Sequence, residues 1–265
     1  MVLRPTPFST PTFRDLLDLS WLHQLTKHPD TLELRGPSPR LPVVPDGLPD
    51  VPGGWAEREW RIGGQRFRLV LPASPDELLD DAEVHAAFDR DEYMPYWAYL
   101  WPASLKMVAT ILRTRWTPDM EVLELGAGIG LVGLAGLARG LRVTFSDYES
   151  KAVDLALFNA RRAGHVNAAG LVLDWRNPPP RQFPLVWGCE LLYEDRNHEP
   201  LLELIRKMLA PGGTAWLVDG GRAKAVRFCN LLPEFGLRYR LFDEQMQPLS
   251  APRVGSYQLI EIHRA

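Results

Sequence analysis

The chain contains 265 residues, of which 46% are hydrophobic and 24% are charged, and its formal net charge is −3. This composition is typical of a globular protein with enough apolar material for a large core. The slightly acidic balance, with lysines and arginines scattered along the chain, argues against nucleic-acid binding. The longest apolar run, at 125–138, is shorter than the ~20 residues that a membrane-spanning helix needs, and the first residues lack the apolar stretch of a signal peptide.

Cysteine and histidine usage gives no indication of a disulfide framework or a metal site. The two cysteines, Cys189 and Cys229, stand in apolar contexts, and the six histidines share no metal-ligand spacing. Free cysteines are typical of a reducing compartment, so we expect a cytoplasmic protein. The charge balance and the short apolar runs described above lead us to expect no nucleic-acid or membrane partner. The oligomeric state is left open, with a monomer as the working expectation.

The N-terminal part is rich in proline, since ten of the 24 prolines fall in residues 1–52. Residues 12–25 carry apolar side chains at helical spacing and predict a helix that packs on the rest of the protein. The Gly-Gly pair in EWRIGGQRFRLVLP predicts a β-hairpin, and residues 74–90, which begin with a capping serine, predict a helix. We therefore predict an N-terminal extension with a helix and a β-hairpin over residues 1–95.

From about residue 96, apolar strand-like segments alternate with amphipathic helical segments. This alternation predicts an α/β domain at 96–265 with a doubly wound, mostly parallel sheet that has helices on both faces. The last two strand-like segments, LRYRLFDEQ and SYQLIEIHR, have no helix between them. They predict one antiparallel strand in the sheet.

The segment EVLELGAGIG places Gly126, Gly128 and Gly130 where the first of these strands meets its helix. Such a turn lies at the ligand crevice of a doubly wound sheet, and glycine there permits a positive φ and close approach of a ligand. The start of the next helix adds free N–H groups. The spacing differs from the dinucleotide pattern G-x-G-x-x-G, because the third small position is Leu131.

The pattern E-x-G-x-G-x-G, with Glu124 in the strand, resembles motif I of the class I, seven-β-strand S-adenosylmethionine-dependent methyltransferases. The resemblance covers roughly residues 96–265. It implies a Rossmann-like fold with seven strands, one of them antiparallel, and S-adenosylmethionine as the cofactor. In that family the strand acid and the glycine turn, which here includes Ala127, hold the amino-acid end of the cofactor.

The resemblance also assigns residues at the ends of the next two strands. Asp147 would accept hydrogen bonds from the two ribose hydroxyls, and the neighbouring Tyr148 would border the adenine. Asp174 and Trp175, after the third strand, would frame the adenine ring. A helix-capping role for Asp147 and a core-packing role for Trp175 stay open as alternatives.

The segment PYWAYLWPASLKMVATIL resembles the family 16 group of these enzymes. That group includes protein-lysine methyltransferases that act on chaperones, elongation factors and the β-subunit of electron-transfer flavoprotein, and the aromatic run is most similar to the flavoprotein-directed branch. The resemblance places Trp101 against the cofactor, and Tyr96 and Trp97 are candidates for the substrate mouth. Alternatively, these aromatic residues only seat the following helix on the sheet.

A second marker is GCELLYE at 188–194, which resembles the D/E-x-x-Y/F pattern that follows the fourth strand in the same group. It identifies Glu190 and Tyr193 as catalytic candidates and Cys189 as a residue that lines the cofactor. Glu190 would hydrogen-bond the incoming amine and Tyr193 would wall its channel during an in-line displacement. Many relatives carry Asp where this chain has Glu190, so its longer side chain is a departure from the pattern.

The predicted function is methyl transfer from S-adenosylmethionine to a lysine side chain of a protein substrate. Alternatives are methylation of a small amine or other metabolite, a nicotinamide-dependent (NAD) oxidoreductase, and a catalytically silent scaffold. Leu131 and the lack of an evident Tyr-x-x-x-Lys pair argue against the oxidoreductase, and Glu124, Asp147 and Trp175 argue against the scaffold. The segment DGGRAKA at 219–225 is interpreted as a turn.

Overall fold

The computed structural model describes residues 31–33 and 40–265 of the chain. The helix predicted for residues 12–25 lies outside these residues. The described part contains a three-stranded and an eight-stranded sheet. The strands are β1 (Thr31–Glu33), β2 (Trp55–Ile62), β3 (Gln65–Pro72), β4 (Glu121–Leu125), β5 (Arg142–Asp147), β6 (Ala169–Val172), β7 (Phe183–Cys189), β8 (Leu209–Asp219), β9 (Leu237–Phe242), β10 (Pro248–Leu249) and β11 (Gln258–Arg264).

The large sheet has the strand order β10-β9-β11-β8-β7-β4-β5-β6, and β4 to β8 run parallel. Strand β11 lies antiparallel between β8 and β9, as the two closing segments predicted. The two-residue β10 adds a further antiparallel strand at the edge, so the sheet has eight strands rather than seven. The chain leaves β4 for β5 on one side and reaches β7 on the other, and this switch in strand order opens a crevice at the carboxyl edge.

The described residues form six α-helices, and all but the first contribute to the two apolar clusters that cover the faces of the large sheet. One apolar cluster joins the helices that precede and follow β4 to the hairpin β2–β3, and Trp55, Ile62 and Leu69 are buried in it. The other cluster lies on the opposite face. The helices are α1 (Ala82–Asp91), α2 (Pro102–Arg113), α3 (Leu131–Ala138), α4 (Ser150–Arg162), α5 (His198–Met208) and α6 (Ala223–Leu231).

The predicted hairpin forms at Gly63 and Gly64, and both glycines have positive φ as a two-residue turn of type I′ requires. The hairpin is fastened to α4 by Asn159, whose side chain is fully buried. The Asn159 amide accepts a hydrogen bond from the Val70 N–H and donates to the Val70 carbonyl, both at 2.9 Å. It also donates to the Ile129 carbonyl at 3.0 Å, so it ties the hairpin to the glycine turn.

One predicted element, the helix before α2, has other bounds in the structure. The helix expected over 74–90 is divided, with a short 3-10 helix before α1, and the capping residue is Asp81 rather than Ser74. The Asp81 carboxylate accepts the N–H groups of Glu83 and Val84, because the chain turns only there into α-helical geometry. Helix α5 ends at Met208, and β8 begins directly at Leu209 through the Pro-Gly-Gly segment.

Candidate active site

A cavity of about 390 Å³ opens at the carboxyl edge of β4, β5 and β7. Twelve of the thirteen predicted site residues line it, and Gly130 does not. Their roles in binding and catalysis stay predictions. The twelve are Trp101, Glu124, Gly126, Ala127, Gly128, Asp147, Tyr148, Asp174, Trp175, Cys189, Glu190 and Tyr193.

Glu124 is buried at the end of β4, where one of its carboxylate oxygens accepts the Gly133 N–H at 2.9 Å. Burial raises the pKa of Glu124 well above its ordinary value, and the bond from Gly133 opposes this shift. Glycine at position 133 avoids a steric clash, because a Cβ there would lie 2.4 Å from Glu124 Oε2 and 2.3 Å from Phe145 Cε1. The sequence analysis missed this fourth glycine, although the spacing Gly-Leu-Val-Gly at the start of α3 was a visible signal.

Gly126, Gly128 and Gly130 all have positive φ, but their surroundings differ. A Cβ at Gly128 would lie 3.1 Å from the Trp97 carbonyl, so glycine lets the aromatic segment before α2 approach the turn. Gly130 is the N-cap of α3, and a Cβ there would lie 2.8 Å from the Cβ of Ala156 in α4. Gly130 therefore serves helix packing, which explains why it is absent from the cavity wall.

Asp147 ends β5 and holds the loops around it in place. Its two carboxylate oxygens accept the N–H groups of Gly128 at 3.0 Å and Glu149 at 3.1 Å. Burial raises the pKa of Asp147 to about 6, against these hydrogen bonds. We call Glu124, Asp147 and the glycine turn the acidic wall. Tyr148, next to it, is 53% exposed and has the guanidinium of Arg176 over its ring at 5.8 Å.

Asp174 and Trp175 follow β6. The Asp174 carboxylate accepts the Arg176 side chain at 2.8 Å and the Asn177 amide at 3.3 Å, and the Arg176 bond is the main cause of its lowered pKa. Trp175 is partly buried and packs against the apolar cluster on the face of α5 and α6. It therefore combines the packing role with a position on the cavity wall.

Three rings form a second wall, which we call the aromatic wall. The ring of Tyr96 meets those of Tyr193 at 4.7 Å and Trp101 at 5.9 Å, both edge-on. Trp101 stands at the N-cap of α2, its indole N–H donates to the Tyr96 carbonyl, and its own carbonyl accepts the Ser104 hydroxyl. Burial raises the pKa of both Tyr96 and Tyr193, so their hydroxyls stay neutral at physiological pH.

Glu190 follows β7 in the left-handed backbone region, with a φ of 61°, and its N–H donates to the Val218 carbonyl at 2.8 Å. Its side chain is almost fully buried and forms an ion pair with Arg222. The guanidinium of Arg222 also lies over the Trp101 ring at 5.5 Å. The sequence analysis missed Arg222, because it interpreted the segment 219–225 only as a turn. Burial raises the pKa of Cys189, which favours the protonated thiol.

Charged side chains surround the mouth of the cavity. Arg196 donates to Glu194 at 2.7 Å and lies 3.7 Å from Asp91 and 3.5 Å from Glu92, at the end of α1. It thereby connects the loop after β7 to the chain before α2. We call these four residues the charged rim. The sequence analysis did not identify them, since no motif relates Arg196 to the distant Asp91.

The cofactor that the resemblance implies fits these residues. The cavity has the size of a small-molecule site, and it combines ring faces with two acids. Glu124 is buried and Asp147 is half-buried, and burial raises the pKa of both, so a cationic or hydroxyl-bearing ligand would stabilise their ionised forms. Gly126 and Gly128 line the same cavity, so their backbone is accessible to such a ligand.

The described residues contain no group of three or more His, Cys, Asp or Glu that could hold a metal ion. Over the same ranges, none of the helices is long and apolar enough to cross a bilayer.

Comparison with curated proteins identifies related sequences. The histone-arginine methyltransferase METTL23 of Xenopus laevis is 25% identical over 163 residues, which are 58% of this chain and 67% of that protein. The mouse (Mus musculus) EEF1A lysine methyltransferase 3 is 30% identical over 139 residues, 48% of this chain and 58% of the relative. The chain thus spans between about half and two thirds of the length of these relatives.

Solved structures share the fold. A TehB-like S-adenosylmethionine-dependent methyltransferase from Corynebacterium glutamicum matches with a TM-score of 0.51 at 17% identity, over 60% of this chain and 88% of that one. At this identity the likeness concerns the fold alone, and it confirms the predicted Rossmann-like class. The family model described as lysine methyltransferase matches residues 96–226. Over these residues, the chain is similar to the lysine methyltransferase family.

Proposed function

We propose that this protein transfers a methyl group from S-adenosylmethionine to a lysine side chain of a protein substrate. The observation that carries the proposal is the single cavity in which the acidic wall and the aromatic wall meet, with Glu190 beside them. The family match over residues 96–226 supports it.

The acidic wall would hold the cofactor. Glu124 and Asp147 would accept hydrogen bonds from its amino and hydroxyl groups, and Asp174 and Trp175 would lie beside its adenine. When bound, the cofactor supplies an electrophilic methyl group on a sulfonium centre. The chain's own contribution is to exclude water and to bring the acceptor into line.

The aromatic wall would receive the acceptor. A lysine amine has an ordinary pKa of about 10.4, and it must be neutral to act as a nucleophile. The rings of Tyr96 and Tyr193 form surroundings of low polarity that disfavour the ammonium form, and Trp101 beside them would lie against the cofactor. Glu190 would accept a hydrogen bond from the amine and so orient its lone pair.

The relatives support a protein acceptor and leave its side chain to experiment. EEF1A lysine methyltransferase 3 is a lysine methyltransferase by its name, and METTL23 is a histone-arginine methyltransferase. Arginine is therefore the second candidate for the acceptor. The likeness to the branch that acts on the β-subunit of electron-transfer flavoprotein, a cytoplasmic location and a monomeric state stay predictions.

The test is to incubate the protein with S-adenosylmethionine carrying a tritiated methyl group and a heat-treated cell lysate. We expect label in a discrete protein band, and methyl-lysine after acid hydrolysis of that band. Methyl-arginine would move the proposal to the second candidate, and label only in the small-molecule fraction would contradict both. Glu190→Gln serves as the inactive control, because it removes the acceptor-orienting carboxylate without changing the cavity shape.

A further inference from the structure

The position of the Glu190 carboxylate depends on a residue outside the family pattern. Glu190 has three rotatable side-chain bonds, so an orienting role requires contacts that fix its far end. The structure shows one such contact and, beside it, a glycine whose missing side chain leaves space for the carboxylate. Arg222 pairs with Glu190 Oε2, and Gly220 lies so close that a Cβ there would stand 2.9 Å from Glu190 Oε1.

Arg222 is itself held from several sides. Its backbone N–H donates to Asp219 Oδ1 at 2.6 Å, and its guanidinium lies 3.1 Å from Asp219 Oδ2. The Trp101 ring lies under the guanidinium, at a distance favourable for a cation–π contact. Asp219 is fully buried at the end of β8 and also accepts the Gly221 N–H at 2.7 Å. Arg222 is thus a fixed cation between a strand end and the aromatic wall.

We propose that Arg222 is a positioning residue that holds the Glu190 carboxylate at the acceptor side of the cavity. It does so by joining three segments that are distant in sequence, namely the ends of β7 and β8 and the start of α2. The inference rests on the proposed function, since Glu190 is taken to orient the acceptor. A merely structural role would be to balance the buried charge of Asp219, and that role would make no use of Glu190.

The first test is a double-mutant cycle on methyl transfer to the acceptor protein found by the labelling experiment. Arg222→Met should lower kcat roughly 10- to 100-fold, because the Glu190 carboxylate loses its ion-pair partner, and leave the KM for S-adenosylmethionine within about twofold. The same substitution in a Glu190→Gln background should cause no further loss. Arg222→Lys should restore part of kcat. Arg227→Met, which removes an exposed arginine paired with Asp195, is the matched control.

A second variant covers the case in which Arg222→Met does not fold. Gly220→Ala keeps every charge, and Gly220 has no positive φ, so its Cβ should displace the flexible end of Glu190 with little effect on the melting temperature. We expect kcat to fall several-fold. An unchanged kcat in Gly220→Ala, or losses that multiply in the double mutant, would overturn the inference.

A crystal structure separates this inference from the proposed function. In Arg222→Met with S-adenosylhomocysteine, we expect the Glu190 carboxylate to leave the position seen here, whatever the enzyme methylates. A carboxylate that stays in place would overturn the inference even if lysine transfer is demonstrated. Lack of any methyl transfer by the unmodified protein would instead contradict the proposed function.

Discussion

The two walls of the cavity differ in how the chain builds them. The acidic wall comes from one continuous stretch, 121–147, in which a strand, a glycine turn, a helix and a second strand follow each other. The aromatic wall and its charged neighbours come from three separate segments, before α2, after β7 and after β8. The first depends on local backbone geometry, and the second depends on how the whole sheet is assembled. Substitutions in the two walls should therefore have separable effects on cofactor binding and on turnover.

The largest expected effect is the loss of turnover on substitution of Glu190, which lies beside the aromatic wall. Glu190→Gln should lower kcat roughly 10²–10³-fold, because the amine loses the group that orients it. The dissociation constant of S-adenosylhomocysteine, measured by calorimetry, should stay within about threefold. A comparable loss of cofactor affinity would mean that the two walls are not separable.

The acidic wall can be broken at Gly133. Gly133→Ala should destabilise the protein by about 1–3 kcal/mol, because the new methyl group overpacks against Phe145 and the Glu124 carboxylate. It should also weaken S-adenosylhomocysteine binding roughly tenfold, or about 1.4 kcal/mol, by displacing Glu124. Gly136→Ala is the matched control, since its Cβ would meet Trp187 and Val143 instead. Denaturant titration should show destabilisation in both variants, and calorimetry should show weaker binding only in Gly133→Ala.

The support of the acidic wall by the hairpin can be tested at Asn159. Asn159→Ala should reduce the free energy of unfolding by about 2–3 kcal/mol, because it leaves the buried Val70 N–H and carbonyl without partners. Asn167→Ala, at an exposed position, should leave it unchanged. Equal unfolding midpoints for the two variants would show that the hairpin does not depend on this amide.

The smallest effect concerns pH. Because burial raises the pKa of Asp147 to about 6, the carboxylate gains a proton as the pH falls through that value and can then accept fewer hydroxyl hydrogen bonds. Through this group, the affinity for S-adenosylhomocysteine should fall by up to tenfold per pH unit below pH 6. Asp147→Asn should bind more weakly at pH 8 and lose this part of the dependence, while the part due to Glu124 stays. Calorimetry at pH 5 and pH 8 on both proteins checks this, and parallel curves would contradict it.

The sequence predicted the acidic wall well because strand, turn and helix signals lie next to each other along the chain. The motif placed Glu124 and Asp147 at the carboxyl edge of the sheet, where the structure has them. The apolar pattern predicted the alternation of strands and helices that builds this sheet. The sequence could not distinguish Gly130 from its neighbours, because a positive φ serves a helix start as well as a ligand. The sequence did not predict Arg222 and Arg196 as site residues, because their partners lie on other elements and only the folded sheet brings these charges together.

The charged rim has a consequence for the conditions under which the enzyme is assayed. Exposed ion pairs contribute little and are screened by added salt, whereas the pair of Glu190 and Arg222 is largely shielded from water. Raising the ionic strength would therefore loosen the bridge that Arg196 makes between α1 and the loop after β7 while the interior pair persists. Assays at several salt concentrations would therefore separate the contribution of these surface charges from that of the interior pair.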